Sequence, residues 1–304
     1  MSNELVEVSK NDIKKGSKSF SLASFFFSKK QKEAAWMLYA WCRYCDDVID
    51  NSATLHEAQV KTIELKTETE KCYNHQASSS HPWVGVNKII HEYDIPSKYP
   101  LDLLRGFQID ASGHGISSKS ELLDYCYCVA GTVGLMMCHI MGISDARALQ
   151  NAVDLGTAMQ LTNIARDIKD DHLINRVYLP DEWLAEAGLD RSNFFFVENR
   201  LKLKLVVDRL LSEADQLYES GQLGLKYLSL RSAWAVGIAL FVYRDIGRQV
   251  RAGGVRAFDN RVVVTKSKKI FLLVCSSFKI LSLLPGRLIK PWKATNSNEI
   301  RSVT

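Results

Sequence analysis

Proline and glycine are scarce in this sequence, at 6 and 17 of 304 residues. A helix interior loses about 3 kcal/mol to proline and about 1 kcal/mol to glycine, relative to alanine. Their scarcity therefore leaves room for long, unbroken helices. Strand signals are missing as well. Val- and Ile-rich runs occur, but without the alternation and regular turn spacing of half-buried strands. No repeat appears at a solenoid period, and no Gly-rich dinucleotide turn is found. No stretch reaches the roughly 18 apolar residues that a membrane-crossing helix needs. The nearest, Ile270 to Leu284, is short and carries Lys279. The opening MSNELVEVSK has acids early and no apolar h-region, so no secretory signal is expected there.

What is present points to a folded, all-α chain. Apolar residues make up 46%, enough for a sizeable core, and 24% charge excludes neither solubility nor order. The seven cysteines are odd in number, and Cys42, Cys45, Cys126, Cys128 and Cys138 lie in apolar, helix-like stretches. They read as reduced, packed thiols of a cytoplasmic protein. Cys42 and Cys45 also stand beside an acidic cluster, but thiolates suit softer metals than carboxylates do. The net charge of +5 is mild, and no nucleic-acid partner is expected. It is uneven, however: Arg261 to Asn298 holds eight Lys/Arg and no acid.

Helical patterning is expected from about Lys30 to Asp50, then over 55–75, 83–93, 101–110, 120–141, 145–170, 195–220, 224–252 and 261–283. Residues 1–18 are expected to be partly frayed. The stretches 76–83 and 112–118 read as loops, and Pro180 starts a short helix with Asp181 and Glu182 in its first turn. One all-helical domain over 1–304 is the reading.

Two acidic pairs stand out. Asp46 and Asp50 are four residues apart, which puts them on one helix face about 6 Å apart. Arg43 shares that face. The surrounding AAWMLYAWCRYCDDVID is too apolar for a freely solvated surface, so a cation must compensate the carboxylates. In QLTNIARDIKDD, Gln160, Asn163, Asp167 and Asp171 fall at i, i+3, i+7 and i+11, one stripe of amide, amide, acid, acid. Such a stripe is not a core pattern. It supplies hard oxygen ligands of the kind that Mg²⁺ takes, Mn²⁺ being an alternative. Either pair alone is as well explained by a solvated helix face. Two pairs in apolar helices, each with an arginine near (Arg43, Arg166), favour a metal-bound diphosphate. Metal on a diphosphate makes it a good leaving group. An allylic substrate would then leave a carbocation, which aromatic faces stabilise; Phe20, Tyr125, Tyr178 and Tyr243 are candidates.

At these residues the chain resembles the squalene/phytoene synthase family, and within it the bacterial phytoene synthases. The resemblance runs through GSKSFSLAS (16–24), MLYAWCRYCDDVID (37–50), YCYCVAGTVGLMM (125–137), LGTAMQLTNIARDIKDD (155–171), RVYLPDEWLAEAGL (176–189) and Tyr243-Arg244. It implies an all-helical isoprenoid-synthase fold around a central cavity. It implies metal ligation by Asp46, Asp50, Asn163, Asp167 and Asp171, with Tyr243 among the catalytic residues. Arg43, Gln160, Arg166, Arg176 and Tyr178 would line the diphosphate region, and Ser17, Ser19 and Phe20 a flexible entry segment. Gly16 replaces a histidine that often begins that segment. Ala130, Gly131, Val133 and Gly134 would line a prenyl-tail channel; the alternative for such a small-residue run is close helix packing. Tyr125 and Tyr243 have the alternative of core tyrosines, and Arg176 that of a partner to Asp170 or Asp171.

The implied reaction joins two geranylgeranyl diphosphates to phytoene through a cyclopropyl diphosphate, without NADPH. Rivals are a head-to-tail elongase, a squalene or dehydrosqualene synthase using C15 substrates, and a non-catalytic helical relative acting in assembly. Asp167-Ile-Lys-Asp170-Asp171 is not the second DDxxD that an elongase would carry. The basic, apolar KSKKIFLLVCSSFKILSLL reads either as a peripheral contact with the inner membrane or as a core helix with a wet lysine face.

Overall fold

Helix starts follow local capping chemistry. The Ser28 hydroxyl accepts the Gln31 amide while the Gln31 side chain reaches back, a capping box. Thr54, Ser118, Asp145 and Ser229 each accept a first-turn amide through the side chain. Each such cap contributes about 1 kcal/mol. Gly113 and Gly142 close their helices at φ 68° and 74°, a conformation that a Cβ disfavours.

The computed structural model describes residues 2–282. Their α-helices are α1 (Ser2–Gly16), α2 (Lys18–Ser24), α3 (Lys29–Asp50), α4 (Leu55–Tyr73), α5 (Trp83–Glu92), α6 (Lys98–Ser112), α7 (Lys119–Cys126), α8 (Thr132–Met141), α9 (Ala146–Leu173), α10 (Asp181–Glu186), α11 (Arg200–Gly224), α12 (Leu230–Gly253) and α13 (Lys266–Ser282). No strand occurs among the described residues, as the all-α reading expects. The basic segment expected over 261–298 is described as far as residue 282; the rest lies outside the described residues.

Three expectations are corrected. Residues 2–16 are not frayed: α1 lies against α3 and buries Ser9 and Ile13. Its apolar residues are too few to announce a helix, and its partner is distant in sequence. The helix expected over 120–141 carries one π turn, Tyr127–Gly131, between α7 and α8. Together they make a segment long and apolar enough to cross a membrane, but half of its apolar window is buried against the protein, as in a core helix. Finally, α11 and α12 start at Arg200 and Leu230, several residues later than the apolar pattern indicates, because short 3₁₀ turns precede them.

The two acidic helices belong to different parts of the core. α9 packs against α7, α8, α11 and α12, and its Leu161, Ile164, Ala165 and Ile168 sink into one apolar group. α3 packs against α1, α4, α5 and α6, and its Leu38, Trp41, Cys45 and Ile49 sink into another. Val129, on the π turn, touches both groups and stays partly accessible. The polar faces of α3 and α9 thus meet along a seam rather than inside one core. Cys42 and Cys45 stand at Cys-x-x-Cys spacing on α3, but Cys45 is fully buried and burial pushes the Cys42 thiol up to about 12. Neither offers a thiolate.

Small residues bring α9 against the π turn and α8. A Cβ on Gly156 would strike the Ala130 carbonyl, and one on Gly134 would come within 2.5 Å of the Ala152 oxygen. Gly134 thus lies where α8 approaches the α9 backbone, and it stays partly accessible. Gly156→Ala should lower stability by about 1–3 kcal/mol through this backbone clash. Chemical denaturation of the two proteins measures it, and equal midpoints would show that the contact is not tight.

Candidate active site

At the end of α3, Tyr39, Arg43, Asp46 and Asp50 follow one face. Arg43 donates to Asp46 at 3.1 Å and grips Asp47 through Nε at 3.1 Å and Nη2 at 2.6 Å. Asp46 is still under-compensated. Burial, then the neighbouring Asp50, push its carboxyl up to about 7, with Arg43 opposing. Its side chain is 36% exposed, so water screens part of that penalty.

On α9 the predicted stripe is real. Gln160, Asn163, Asp167 and Asp171 all remain partly accessible while Leu161, Ala165 and Ile168 are buried. Asn163 donates to the Gln160 oxygen at 3.2 Å, which leaves Asn163 Oδ1 buried without a partner. Burial, then Asp167, push Asp171 up to about 7 against Arg176. Asp167 goes the other way. Burial raises it, but Arg166 and Arg261 together outweigh burial and hold its carboxyl below the usual range.

Arg176 joins the two helices. It pairs with Asp50 at 2.7 Å, not with the Asp170 or Asp171 side chain weighed from sequence, although its backbone amide donates to the Asp171 carbonyl at 2.9 Å. Beside it lies Asp110 of α6, which the sequence reading missed. Tyr178 and Tyr125 donate to its two oxygens at 2.7 and 3.2 Å, and their rings stack at 4.9 Å. Burial pushes Asp110 up to about 6 against the pull of Arg176 and both hydroxyls. The one available signal was an acid inside the apolar run Phe107-Gln-Ile109-Asp-Ala111.

The entry segment is folded inward. The Ser17 hydroxyl caps α2 by accepting from the Phe20 amide at 3.2 Å, and its side chain also hydrogen-bonds Tyr243. The Phe20 ring stacks on Tyr243 at 5.3 Å, so these two aromatics form a second wall. Ser19 lies on α2, partly accessible. The Tyr39 hydroxyl lies against Gly16, where a larger side chain would require it to shift. Val133 packs at the seam with its side chain partly accessible; Ala130 is fixed by its carbonyl's contact with Gly156.

The second missed residue is Arg261, between α12 and α13. Its guanidinium takes Asp167 in a two-pronged grip at 2.7 and 2.9 Å and, 54% exposed, covers it from the solvent side. Lys269 is nearby in sequence and its ammonium is depressed, by burial first and then by Lys18 of α2. Arg166, Arg176 and Arg261 thus supply the positive charge facing the α9 acids, a set suited to a diphosphate. No sequence motif announces Arg261, because it comes from the loop after α12.

The residues fit a divalent, oxygen-seeking cation. The Asn163 oxygen has no partner, and the Asp46 and Asp171 carboxylates stay raised although Arg43 and Arg176 oppose the rise. Such cations bind through one or two carboxylates and keep water or substrate phosphate for the rest. A closed protein cage is therefore unnecessary, and among the described residues no three acidic, His or Cys side chains form one.

The fold matches solved structures of one class. A dehydrosqualene synthase superposes with a TM-score of 0.84 at 27% identity, over 92% of this chain and 98% of its own. A squalene synthase from Alicyclobacillus acidocaldarius gives 0.74 at 20%, over 83% and 94%, a likeness of fold. The protein therefore has the all-α isoprenoid-synthase fold, with two acidic helices facing one seam. Residues 13–268 match the family described as squalene/phytoene synthase. The 15-cis-phytoene synthase of Pantoea ananas is 41% identical over 275 residues, 88% of this chain and 89% of its own. That of a Paracoccus species is 36% identical over 294 residues, 93% and 95%. The chain belongs to the squalene/phytoene synthase family, and it is an enzyme of the prenyltransferase type.

Two outcomes follow from the charges. A carboxylate whose folded pKa exceeds its unfolded value destabilises the fold as pH rises through the folded value. In chelator, Asp171→Asn should therefore melt a few degrees above the parent at about pH 8 and gain less at about pH 5, where the parent carboxyl is largely protonated. A lower melting point at the higher pH would refute the charge assignment. Arg261→Gln removes a competitor for Asp167, so Mn²⁺ binding to the substrate-free protein should tighten about two- to five-fold. The paramagnetic resonance of free Mn²⁺ reports it, and an unchanged affinity would show that the grip does not compete.

Proposed function

We propose that this enzyme joins two molecules of geranylgeranyl diphosphate head to head, giving phytoene through a cyclopropyl diphosphate, with Mg²⁺ and without NADPH. The observation that carries the reading is the joining of the two acidic helices by Arg176 across one seam. Curated relatives named phytoene synthase, at 36–42% identity, point to the C20 substrate.

Asp46, Asp50, Asn163, Asp167 and Asp171 would hold Mg²⁺, which would supply stabilisation of the negative charge on a departing diphosphate. Arg43, Arg166, Arg176 and Arg261 surround the same position and bind phosphate oxygens. The Tyr125–Tyr178 stack and the Phe20–Tyr243 stack present ring faces to an allylic cation and keep water from it. In the first half, the double bond of the second molecule attacks that cation and a proton leaves, closing the cyclopropane. In the second half, the remaining diphosphate departs, the ring opens with rearrangement, and a second proton loss makes the central double bond. Two diphosphates and two protons are released, so no electrons are needed from outside. Asp110, held between two hydroxyls, keeps Tyr125 and Tyr178 aimed at the seam.

The localisation that supports this chemistry is cytoplasmic with peripheral contact on the inner membrane. α13 packs through Leu272, Ser276 and Ile280 and turns Ile270, Phe271 and Phe278 outward among lysines.

The test is incubation with C15 and C20 diphosphates, with and without Mg²⁺ and NADPH, followed by product identification. A C40 product with a central triene, formed from the C20 substrate without NADPH, is expected. Product from the C15 substrate alone would favour the dehydrosqualene reading. Asp46→Asn and Asp167→Asn should each cut turnover by at least about 10²-fold with the fold intact. A fully active Asp167→Asn enzyme would falsify the metal assignment.

A further inference from the structure

Arg261 is an exposed arginine outside the helices, yet its guanidinium takes both oxygens of Asp167. An exposed ion pair gains little by itself, because ordering a long side chain offsets most of the attraction. A two-pronged grip also demands a definite geometry, and so a backbone that is already in place. The segment from 258 to 264 supplies one. Phe258 and Val264 are buried at its two ends, in the apolar group around α9. The Asp259 carbonyl accepts from Lys169 Nζ at 2.6 Å. The Asp259 carboxylate pairs with Arg200, the first residue of α11, whose guanidinium also lies over the Phe195 ring at 5.6 Å.

Lys169 stands two residues after Asp167 on α9, and side chains two apart on a helix do not face each other. The segment thus holds α9 at two places, through Arg261 on Asp167 and through the Asp259 carbonyl on Lys169, while Arg200 ties the same residue to α11. We infer that Asp259 is a positioning residue for the acidic site: tied to Lys169 and Arg200, it keeps Arg261 on Asp167, so that a divalent ion has to displace a cation the fold has put there. The inference rests on the reading of Asp167 as a metal ligand given above. Asp259 acts through Arg261 and not on the metal, and the sign of its effect separates the two. Removing the negative charge of Asp259 would by itself weaken the binding of a nearby divalent cation. Loosening Arg261 strengthens it.

The experiment titrates Mn²⁺ into the full chain without substrate and reads free Mn²⁺ by its paramagnetic resonance. It compares the parent, Asp259→Asn, Arg261→Gln, the double variant of these two, and Asp167→Asn. Asp259→Asn should tighten binding about two- to five-fold, as Arg261→Gln does, and the double variant should be no tighter than Arg261→Gln alone. Unchanged or weaker binding by Asp259→Asn would overturn the inference. Equal tightening with and without Arg261 would overturn it too, since Asp259 would then act independently of the arginine. A second readout needs no metal. In chelator, phenylglyoxal should modify Arg261 at least about two-fold faster in Asp259→Asn and in Lys169→Gln than in the parent, as peptide masses record. Rates equal to the parent's in both variants would count against the positioning role. Asp167→Asn should bind Mn²⁺ more weakly than the parent; if it binds equally, the metal reading fails, and the phenylglyoxal rates still decide whether Asp259 places Arg261.

Discussion

Carboxylates crowded into a half-dry seam repel one another, and most of the surrounding structure answers that repulsion. Each acidic helix buries one side in its own apolar group, so neither can turn its acids away to water without losing core. Arg43 holds the α3 acids from their own helix, Arg166 and Arg261 hold Asp167, and Arg176 ties Asp50 to the other side. The compensation is unequal. Asp167 has two guanidiniums and is held ionised, whereas Asp46 and Asp171 are pushed up to about 7. That inequality leaves places where a divalent cation gains most, beside the Asn163 oxygen that no protein group satisfies. Stability is given up here so that charge can be met by ligand, the usual exchange at a functional site.

The same seam decides where the aromatics stand. Tyr125 and Tyr178 are oriented by a single buried acid, Asp110, which receives both hydroxyls. Tyr125 is buried in the apolar group around α9, as its core alternative had it, and Tyr178 packs partly accessible against it. Tyr243 is steadied from the opposite side by Ser17 and stacks with Phe20. Both aromatic pairs thus belong to the apolar group around α9 rather than to the group around α3.

The parts of the site legible in the sequence are those written within one helix. The i, i+3, i+7, i+11 stripe on α9 needs only the helical period, and the structure keeps all four residues accessible while their neighbours are buried. Asp46 and Asp50 were legible for the same reason. Asp110 and Arg261 were not, because each reaches the site from a segment whose approach depends on tertiary packing. Small residues were legible as small but not in purpose. Gly134 and Gly156 stand at close backbone contacts between helices, which no one-sequence pattern separates from a channel lining. α1 was missed since its apolar positions are few and its stability comes from α3, not from propensity. Periodicity still identified the helical class throughout, with boundaries displaced where 3₁₀ and π turns intervene.

Arg261 links these levels. It spends its guanidinium on Asp167, while two residues earlier Asp259 holds Lys169 and Arg200. A divalent cation taking the place of Arg261 at Asp167 would free that guanidinium for phosphate oxygens. The hydrocarbon product has no such exchange to offer. At about 0.8 kcal/mol per CH₂, moving a forty-carbon chain into water costs on the order of 30 kcal/mol, far beyond what closing one ion pair returns. Charge at the site can draw a diphosphate in, but it does nothing for the release of a hydrocarbon.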